Sequence, residues 1–340
     1  MPISLPTIGA LPAGPRNSIT DVAGVTVGHA TIAGGDIQTG VTVVRPHAGD
    51  PFVDKVPAAC AVINGFGKSI GLVQVEELGV LETPIALTNT FAVGAVAQAQ
   101  IRQAVAANPQ IGRTWSTVNP LVFECNDGYL NDLQAFAVQD VHYEAAYAAA
   151  AEMFEQGAVG AGRGMSSFGV KGGIGSASRV ATLADGTQRT VGALVLSNFG
   201  VTENLTLAGR HVGRELAKAL AAEPGPEKGS IIMLLATDAP LDARQLRRLA
   251  LRAGAGLART GSVYGHGSGD IALAFSTAYT VPHQGTRAMP ATAMTHESHL
   301  DPLFQAAADS VEQAIVHALF HAEAVTGRDG NTRRALTELI

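Results

Sequence analysis

The sequence predicts an α/β protein in which stacked sheets are flanked by helices in one compact unit. Three observations lead there. Short apolar runs recur along the chain, mostly continuous rather than alternating, as in strands covered on both faces. Ala-rich stretches with helical spacing lie between them. Hydrophobic residues make up 46% of the 340 residues and charged residues only 15%, which supplies a large core and excludes a disordered chain.

Strands are expected at 24–28, 40–44, 59–63, 85–88, 121–123, 192–196, 231–236 and 271–275, each a β-rich or apolar run. Helices are expected at 91–107 and 140–156, both Ala-rich, and at 203–222, where Leu205, Leu207, Val212, Leu216 and Leu220 fall at roughly helical intervals. A further helix over 242–259 follows Pro240 and opens on Asp242. Its Arg244, Arg247, Arg248, Arg252 and Arg259 read as a solvated side. In the last helix Asp301-Pro302 forms the cap and Gly327 the end, with Phe304, Ala307, Ala308, Val311, Ala314, Ile315, Ala318 and Leu319 as one apolar stripe. No internal repeat is evident. Linkers are expected at 222–229 and, more weakly, at 281–298.

A net charge of −6 without a dense Lys/Arg stripe argues against nucleic acid. No apolar stretch reaches the length of a bilayer span, and residues 1–17 lack a basic start and an apolar h-region. The expectation is therefore no membrane and a cytoplasmic location. Cys60 and Cys125 have no metal-ligand spacing and read as buried, reduced thiols, with a structural disulfide between them as the other reading.

The most informative point is the junction at Gly229-Ser230, where Glu223-Pro224-Gly225-Pro226-Glu227 leads into Ile231-Ile232-Met233-Leu234-Leu235. Glycine tolerates a strained backbone, and a serine hydroxyl can attack the carbonyl just before it in an N→O acyl shift. Severed there, the chain would expose Ser230 as both a nucleophile and an amine. On local pattern alone, a Gly-Ser pair before a strand is a turn.

Four further constellations bear on chemistry. In Gly265-His266-Gly267-Ser268-Gly269-Asp270, the hydroxyl of Ser268 and the carboxyl of Asp270 are two apart and share a face in extended chain, suiting a relay to a nucleophile or amine. The other reading is a glycine turn with a solvated Asp, and His266 is a weak candidate base. The run Glu124-Cys125-Asn126-Asp127-Gly128-Tyr129-Leu130-Asn131-Asp132 packs three acids, two amides and a phenol after a strand end, which suits a substrate cleft or a self-bonded Asx turn. Asn198, at the end of the 192–196 strand, could serve as an oxyanion donor. The glycine cluster of 157–175 lacks the Lys-Ser/Thr of a P-loop, and close packing around a site explains it better.

Taken together these segments resemble the β-aminopeptidase group, which includes the L-aminopeptidase/D-Ala-esterase/amidase enzymes, self-processing N-terminal-nucleophile hydrolases. The likeness runs through Asn17-Ser18-Ile19-Thr20-Asp21-Val22, Gly24-Val25-Thr26-Val27-Gly28-His29, Gly40-Val41-Thr42-Val43, Glu76-Glu77, Leu81-Glu82-Thr83-Pro84-Ile85 and Thr88-Asn89-Thr90. It continues in Asn126 to Asp132, Lys171-Gly172-Gly173-Ile174-Gly175, Gly229-Ser230-Ile231-Ile232, Ala236-Thr237-Asp238-Ala239-Pro240-Leu241, Gly267 to Ile271 and Thr326-Gly327-Arg328-Asp329-Gly330-Asn331. Asn64-Gly65-Phe66-Gly67-Lys68 and Arg163-Gly164-Met165-Ser166-Ser167-Phe168 depart from the family pattern, and both could line the pocket.

The resemblance implies a four-layer αββα sandwich, like that of Ntn hydrolases but differently connected. It implies a single domain, 1–340, cleaved into 1–229 and 230–340. Ser230 would be the nucleophile, with Ser268 and Asp270 near its amine, Asn198 on the oxyanion, Tyr129 as the site tyrosine and Glu124 receiving the substrate's amino group. Substrates would be small peptides, amides or esters, with no metal or cofactor, in a homo-oligomer of four or more processed pairs. The rival readings are a self-cleaving acyltransferase of the ornithine acetyltransferase kind, which typically cleaves at threonine, and a non-catalytic oligomeric binding protein on the same scaffold.

Overall fold

Parity along the strands sorts the apolar residues into three layers. The computed structural model describes residues 4–221 and 228–340. A four-stranded sheet has the order β1 (Thr26–Gly34), β2 (Ile37–Arg45), β5 (Ile85–Asn89), β6 (Leu121–Cys125), with only β5 and β6 parallel. A seven-stranded sheet runs β11 (Val281–Pro282), β3 (Asp54–Gly65), β10 (Gly267–Ser276), β9 (Lys228–Thr237), β8 (Gln188–Asn198), β7 (Gly173–Thr182), and β4 (Val80–Leu81) also pairs with β3. Here β9 and β10 are the parallel pair.

Val41, Val43, Ala86 and Val122 pack outward under α2 (Val93–Ala107) and α3 (Asp140–Ala148). The opposite parity of the same sheet, with Val44, Ile85, Leu87 and Phe123, meets Leu194, Leu196, Ile232, Leu234 and Leu273 between the sheets. Val191, Ala193, Val195, Ile231, Met233 and Leu235 then face α5 (Ala243–Leu251), α6 (Ala253–Arg259) and α7 (Leu300–Phe320). The layers are αββα, as the resemblance implies. The shorter α1 (Leu72–Leu78) packs on β3, and α4 (Gly213–Leu220) on the 202–204 turn.

Each expected strand is present, but β7 was not foreseen in the glycine cluster. Several helices are shorter than their periodicity suggests. The helix expected over 140–156 stops at Ala148, and Ala151 instead bridges Val27 of β1. The 203–222 pattern begins as a two-residue ladder, Thr206–Leu207 with Arg210–His211, so Leu205 and Leu207 alternate as in a strand. The 242–259 helix breaks at Arg252 into α5 and α6. Arg244 and Arg248 pair with Glu297 at the surface, while Arg259 turns inward to the buried Asp309.

Helix α7 departs furthest from the expectation. His299, not Asp301, occupies its N-cap, and it ends at Phe320, well before Gly327. It is buried on nearly every side, not along one stripe, because it lies between the seven-stranded sheet and α5 and α6. Its inward polar groups therefore need partners. His317 Nδ1 sits 2.6 Å from the Ser176 carbonyl, and Gln313 accepts from the Ile8 N–H at 2.8 Å. Of the expected 222–229 linker, residues 222–227 lie outside the described residues. Lys228 and Gly229 already belong to β9.

Candidate active site

Ser230 falls on the parity of Ile232 and Leu234, which carries its side chain into the layer between the sheets at one end of the sandwich. Its backbone is held on both sides, opposite Asn198 on β8 and Gly269 on β10. The Gly269 N–H donates to Ser230 Oγ at 3.1 Å, and Ser230 is only 5% exposed. Before it, Gly229 has φ +104°, and a Cβ there would stand 1.9 Å from the Asn198 carbonyl oxygen. Only glycine fits both the dihedral and the gap.

Asn198 shares the Ser230 face. Its Oδ1 accepts from the Ser166 N–H at 2.8 Å and its Nδ2 donates to the Asn126 carbonyl at 3.0 Å. A primary amide has two N–H donors, so this arrangement fixes which end is the donor and, among the described residues, leaves one N–H to give. The same nitrogen lies 3.2 Å from the site of a Gly229 Cβ, next to the peptide that would be cleaved.

Ser268 and Asp270 lie on the opposite face of β10 from the Ser230 hydroxyl, in register with Gly229 and Ile231. Ser268 Oγ donates to Asp270 Oδ1 at 2.6 Å, and both residues are fully buried. The pair thus brackets the Ser230 backbone, where an amine would be freed. Asn64 Nδ2 donates to the Ser268 and Gly265 carbonyls at 2.5 and 2.8 Å, tying the end of β3 to this turn.

Glu124 is 2% exposed at the end of β6, and its carboxylate accepts from the Lys68 N–H at 2.8 Å and from the Thr90 hydroxyl. The turn between Asn64 and Lys68 connects it to the serine. A Cβ on Gly67 would stand 3.6 Å from Glu124 Oε1 and 4.0 Å from Gly269 Cα, while one on Gly269 would meet Ser230 Oγ at 3.1 Å. Tyr129 is placed differently. It is 40% exposed, its ring lies 3.5 Å under the Arg333 guanidinium, and its carbonyl accepts from Asn331. No contact joins it to Ser230 among the described residues. His266 is exposed, its ring 6.1 Å from that of the exposed Phe66. Cys125 is free and buried, and burial pushes its thiol well above its ordinary pKa, which suits packing and not attack.

Behind Asn198, the loop from Gly162 to Gly172 is gathered by Lys171. Its fully buried ammonium donates to the Gly162, Met165 and Gly172 carbonyls at 2.7–2.8 Å. Burial lowers the Lys171 pKa well below the usual lysine value, yet three carbonyl acceptors call for the protonated form. That loop presents the Ser166 N–H that orients the Asn198 amide.

The family model for peptidase family S58 matches residues 17–333. The chain belongs to peptidase family S58. Among solved structures this S58 chain is similar to the PH0078 protein from Pyrococcus horikoshii OT3, 48% identical with a TM-score of 0.92, covering 98% of this chain and 94% of that one. It is similar also to the L-aminopeptidase D-Ala-esterase/amidase from Ochrobactrum anthropi, described as a prototype for the serine aminopeptidases with a new variant of the Ntn hydrolase fold. That match is 36% identical with a TM-score of 0.89, covering 98% of this chain and 94% of that one. The beta-peptidyl aminopeptidase BapA of Sphingosinicella microcystinivorans is 40% identical over 95% of this chain and 86% of that protein.

The structure adds groups to this S58 site that sequence reasoning missed. The Gly269 and Ser166 N–H groups and the Asn126 carbonyl are backbone groups, which residue types do not announce. Thr90 and Lys68 were visible only as members of motifs. Among the described residues no helix is long and apolar enough to cross a membrane.

Proposed function

We propose that this S58 peptidase is a serine aminopeptidase that matures by cutting itself between Gly229 and Ser230. In maturation, Ser230 Oγ would attack the Gly229 carbonyl carbon. The Ser230 nitrogen leaves and takes a proton, and water hydrolyses the resulting ester to give a Gly229 carboxylate and a free Ser230 amine. The observation that carries this reading is the close seat of Gly229-Ser230: a left-handed glycine pressed on Asn198, beside a serine whose Oγ is fixed by the Gly269 N–H.

In turnover, the Ser230 amine, steadied by the Ser268–Asp270 pair, would take the Oγ proton as Oγ attacks the substrate carbonyl. The free N–H of Asn198 would stabilise the oxyanion, a role worth about 3 kcal/mol in comparable sites. The leaving amine departs protonated, and water releases the acyl group. Glu124 would hold the substrate's amino group by charge-assisted hydrogen bonds, and Tyr129 would act from the rim. Substrates would be small peptides, amides or esters. The names of the relatives support this reading, and with it go a homo-oligomer of four or more processed pairs and a cytoplasmic location.

The test is electrophoresis under denaturing conditions with N-terminal sequencing of the smaller fragment. Active enzyme should give two fragments, the smaller beginning at Ser230, and Ser230→Ala should stay whole and inactive. An unbroken chain in active enzyme, or full turnover by Ser230→Ala, overturns the proposal.

A further inference from the structure

We propose that Lys68 recognises the free carboxylate of short substrates, so that the enzyme favours di- and tripeptide acids over the matching neutral amides. The inference rests on the aminopeptidase reading above and adds the chemistry of the leaving group. It starts from the segment Asn64 to Lys68, which lies beside both Gly269 and Glu124.

This segment is rigidly placed. Asn64 anchors it to β10, and the Gly67 N–H closes a tight turn on the Gly65 carbonyl at 2.8 Å. Within three residues it approaches both the serine and Glu124. The Phe66 carbonyl oxygen lies 2.8 Å from the site of a Gly269 Cβ, beside Ser230 Oγ. Gly67 stands between Glu124 and Gly269, and the Lys68 N–H holds the Glu124 carboxylate. The side chains of Phe66 and Lys68 are both exposed beside this contact, Phe66 to 53%.

Charge completes the argument. Glu124 carries a buried carboxylate and Lys68 an exposed cation, and the Lys68 N–H bonds that carboxylate. The Lys68 ammonium rests 4.3 Å from the centroid of the Phe66 ring, and among the described residues it pairs with no carboxylate. A contact of that kind is weak enough at an exposed site to be exchanged for an acid. Glu124 inside and Lys68 outside match the two ends of a zwitterion: amine inward, scissile carbonyl over Ser230, terminal acid outward. A dipeptide spans about 7 Å when extended, a length that the exposed Lys68 side chain would have to meet. Among the described residues His266 also faces Phe66, their ring centroids 6.1 Å apart, and it adds no negative charge there.

The test is the ratio of kcat/KM for a dipeptide acid to that for its C-terminal amide, measured on self-cleaved enzyme. In Lys68→Met this ratio should fall about fivefold, as expected for loss of one partly exposed ion pair. Lys68→Arg should restore it, and Lys68→Glu should reverse the preference. Rising ionic strength should shrink the parent's ratio but leave that of Lys68→Met unmoved, since screening acts only on the charge. An unchanged ratio in Lys68→Met and Lys68→Glu overturns the inference and leaves the aminopeptidase reading standing. A parent that cleaves neither substrate overturns both.

Discussion

Asp127 shows how closely the site depends on single buried groups. Its neighbour Asn126 supplies the carbonyl that holds the Asn198 amide, and Asp127 itself is 1% exposed, with Oδ1 accepting from Asn131 Nδ2 at 3.0 Å. Burial raises its pKa from 3.8 to about 7. The folded chain therefore holds a proton that the unfolded chain has already lost above pH 3.8, so this group's contribution to stability falls as pH climbs to about 7 and is flat beyond. Asn mimics the protonated acid and cannot titrate. Asp127→Asn should match the parent near pH 4 and exceed it progressively, by on the order of 4 kcal/mol above pH 7. Urea unfolding at pH 4.5 and 8, on a Ser230→Ala background to keep one chain, measures the difference. A gap that does not widen with pH would mean that Asp127 is already ionised when folded.

At the scale of elements, the docking of α7 on β7 explains both a prediction and a misreading. A Cβ on Gly175 would stand 1.9 Å from the Ala314 carbonyl oxygen and 2.6 Å from the Ala318 nitrogen, so helix backbone lies directly on strand backbone. Gly175→Ala must push the helix off the sheet and should cost about 3 kcal/mol or more. Gly34→Ala, with nothing within 4 Å of its Cβ, should stay within about 0.5 kcal/mol of the parent. Thermal unfolding of the two variants side by side decides the point. The same close contact hid β7 from sequence reading. Where a helix rests on a strand the residues must be small, and Gly173-Ile174-Gly175-Ser176-Ala177-Ser178 looks like a loop. The eight expected strands were legible because a strand covered on both faces is buried along its whole length and reads as a continuous apolar run. The polar ends of β8, β9 and β10 announced Asn198, Ser230, Ser268 and Asp270 for a related reason: a hydrophilic residue that ends an apolar run sits at the rim of a sandwich. Helix limits at Ala148 and Arg252 were not legible. Each is set by what the chain meets next, not by its own periodicity.

For the molecule as a whole, the position of Gly229 in the topology matters more than its position in the sequence. Under the proposed cleavage, residues 230–340 supply β9 and β10, the parallel centre of the seven-stranded sheet, and α5 to α7 above it. Residues 1–229 supply β3 and β8 on either side of that pair and the whole four-stranded sheet. The ladder from Val191–Thr237 to Asn198–Ser230 crosses the cut on one side, and that from Phe275–Ala58 to Gly269–Gly65 crosses it on the other. Two of the three apolar layers also draw on both pieces. Severing one peptide bond at a strand's beginning therefore removes no ladder and no layer, whereas removing either piece exposes two unpaired strand edges with apolar faces. Cleaved enzyme should elute from native gel filtration as one species containing both fragments and should unfold in a single cooperative transition. The 230–340 piece expressed alone should show no cooperative unfolding and should aggregate, and adding separately made 1–229 to it afterwards should not restore activity. If the fragments part under native conditions, or if 230–340 folds alone, the central pair is not held by its neighbours, and the sheet cannot be what keeps a severed Ser230 beside Asn198.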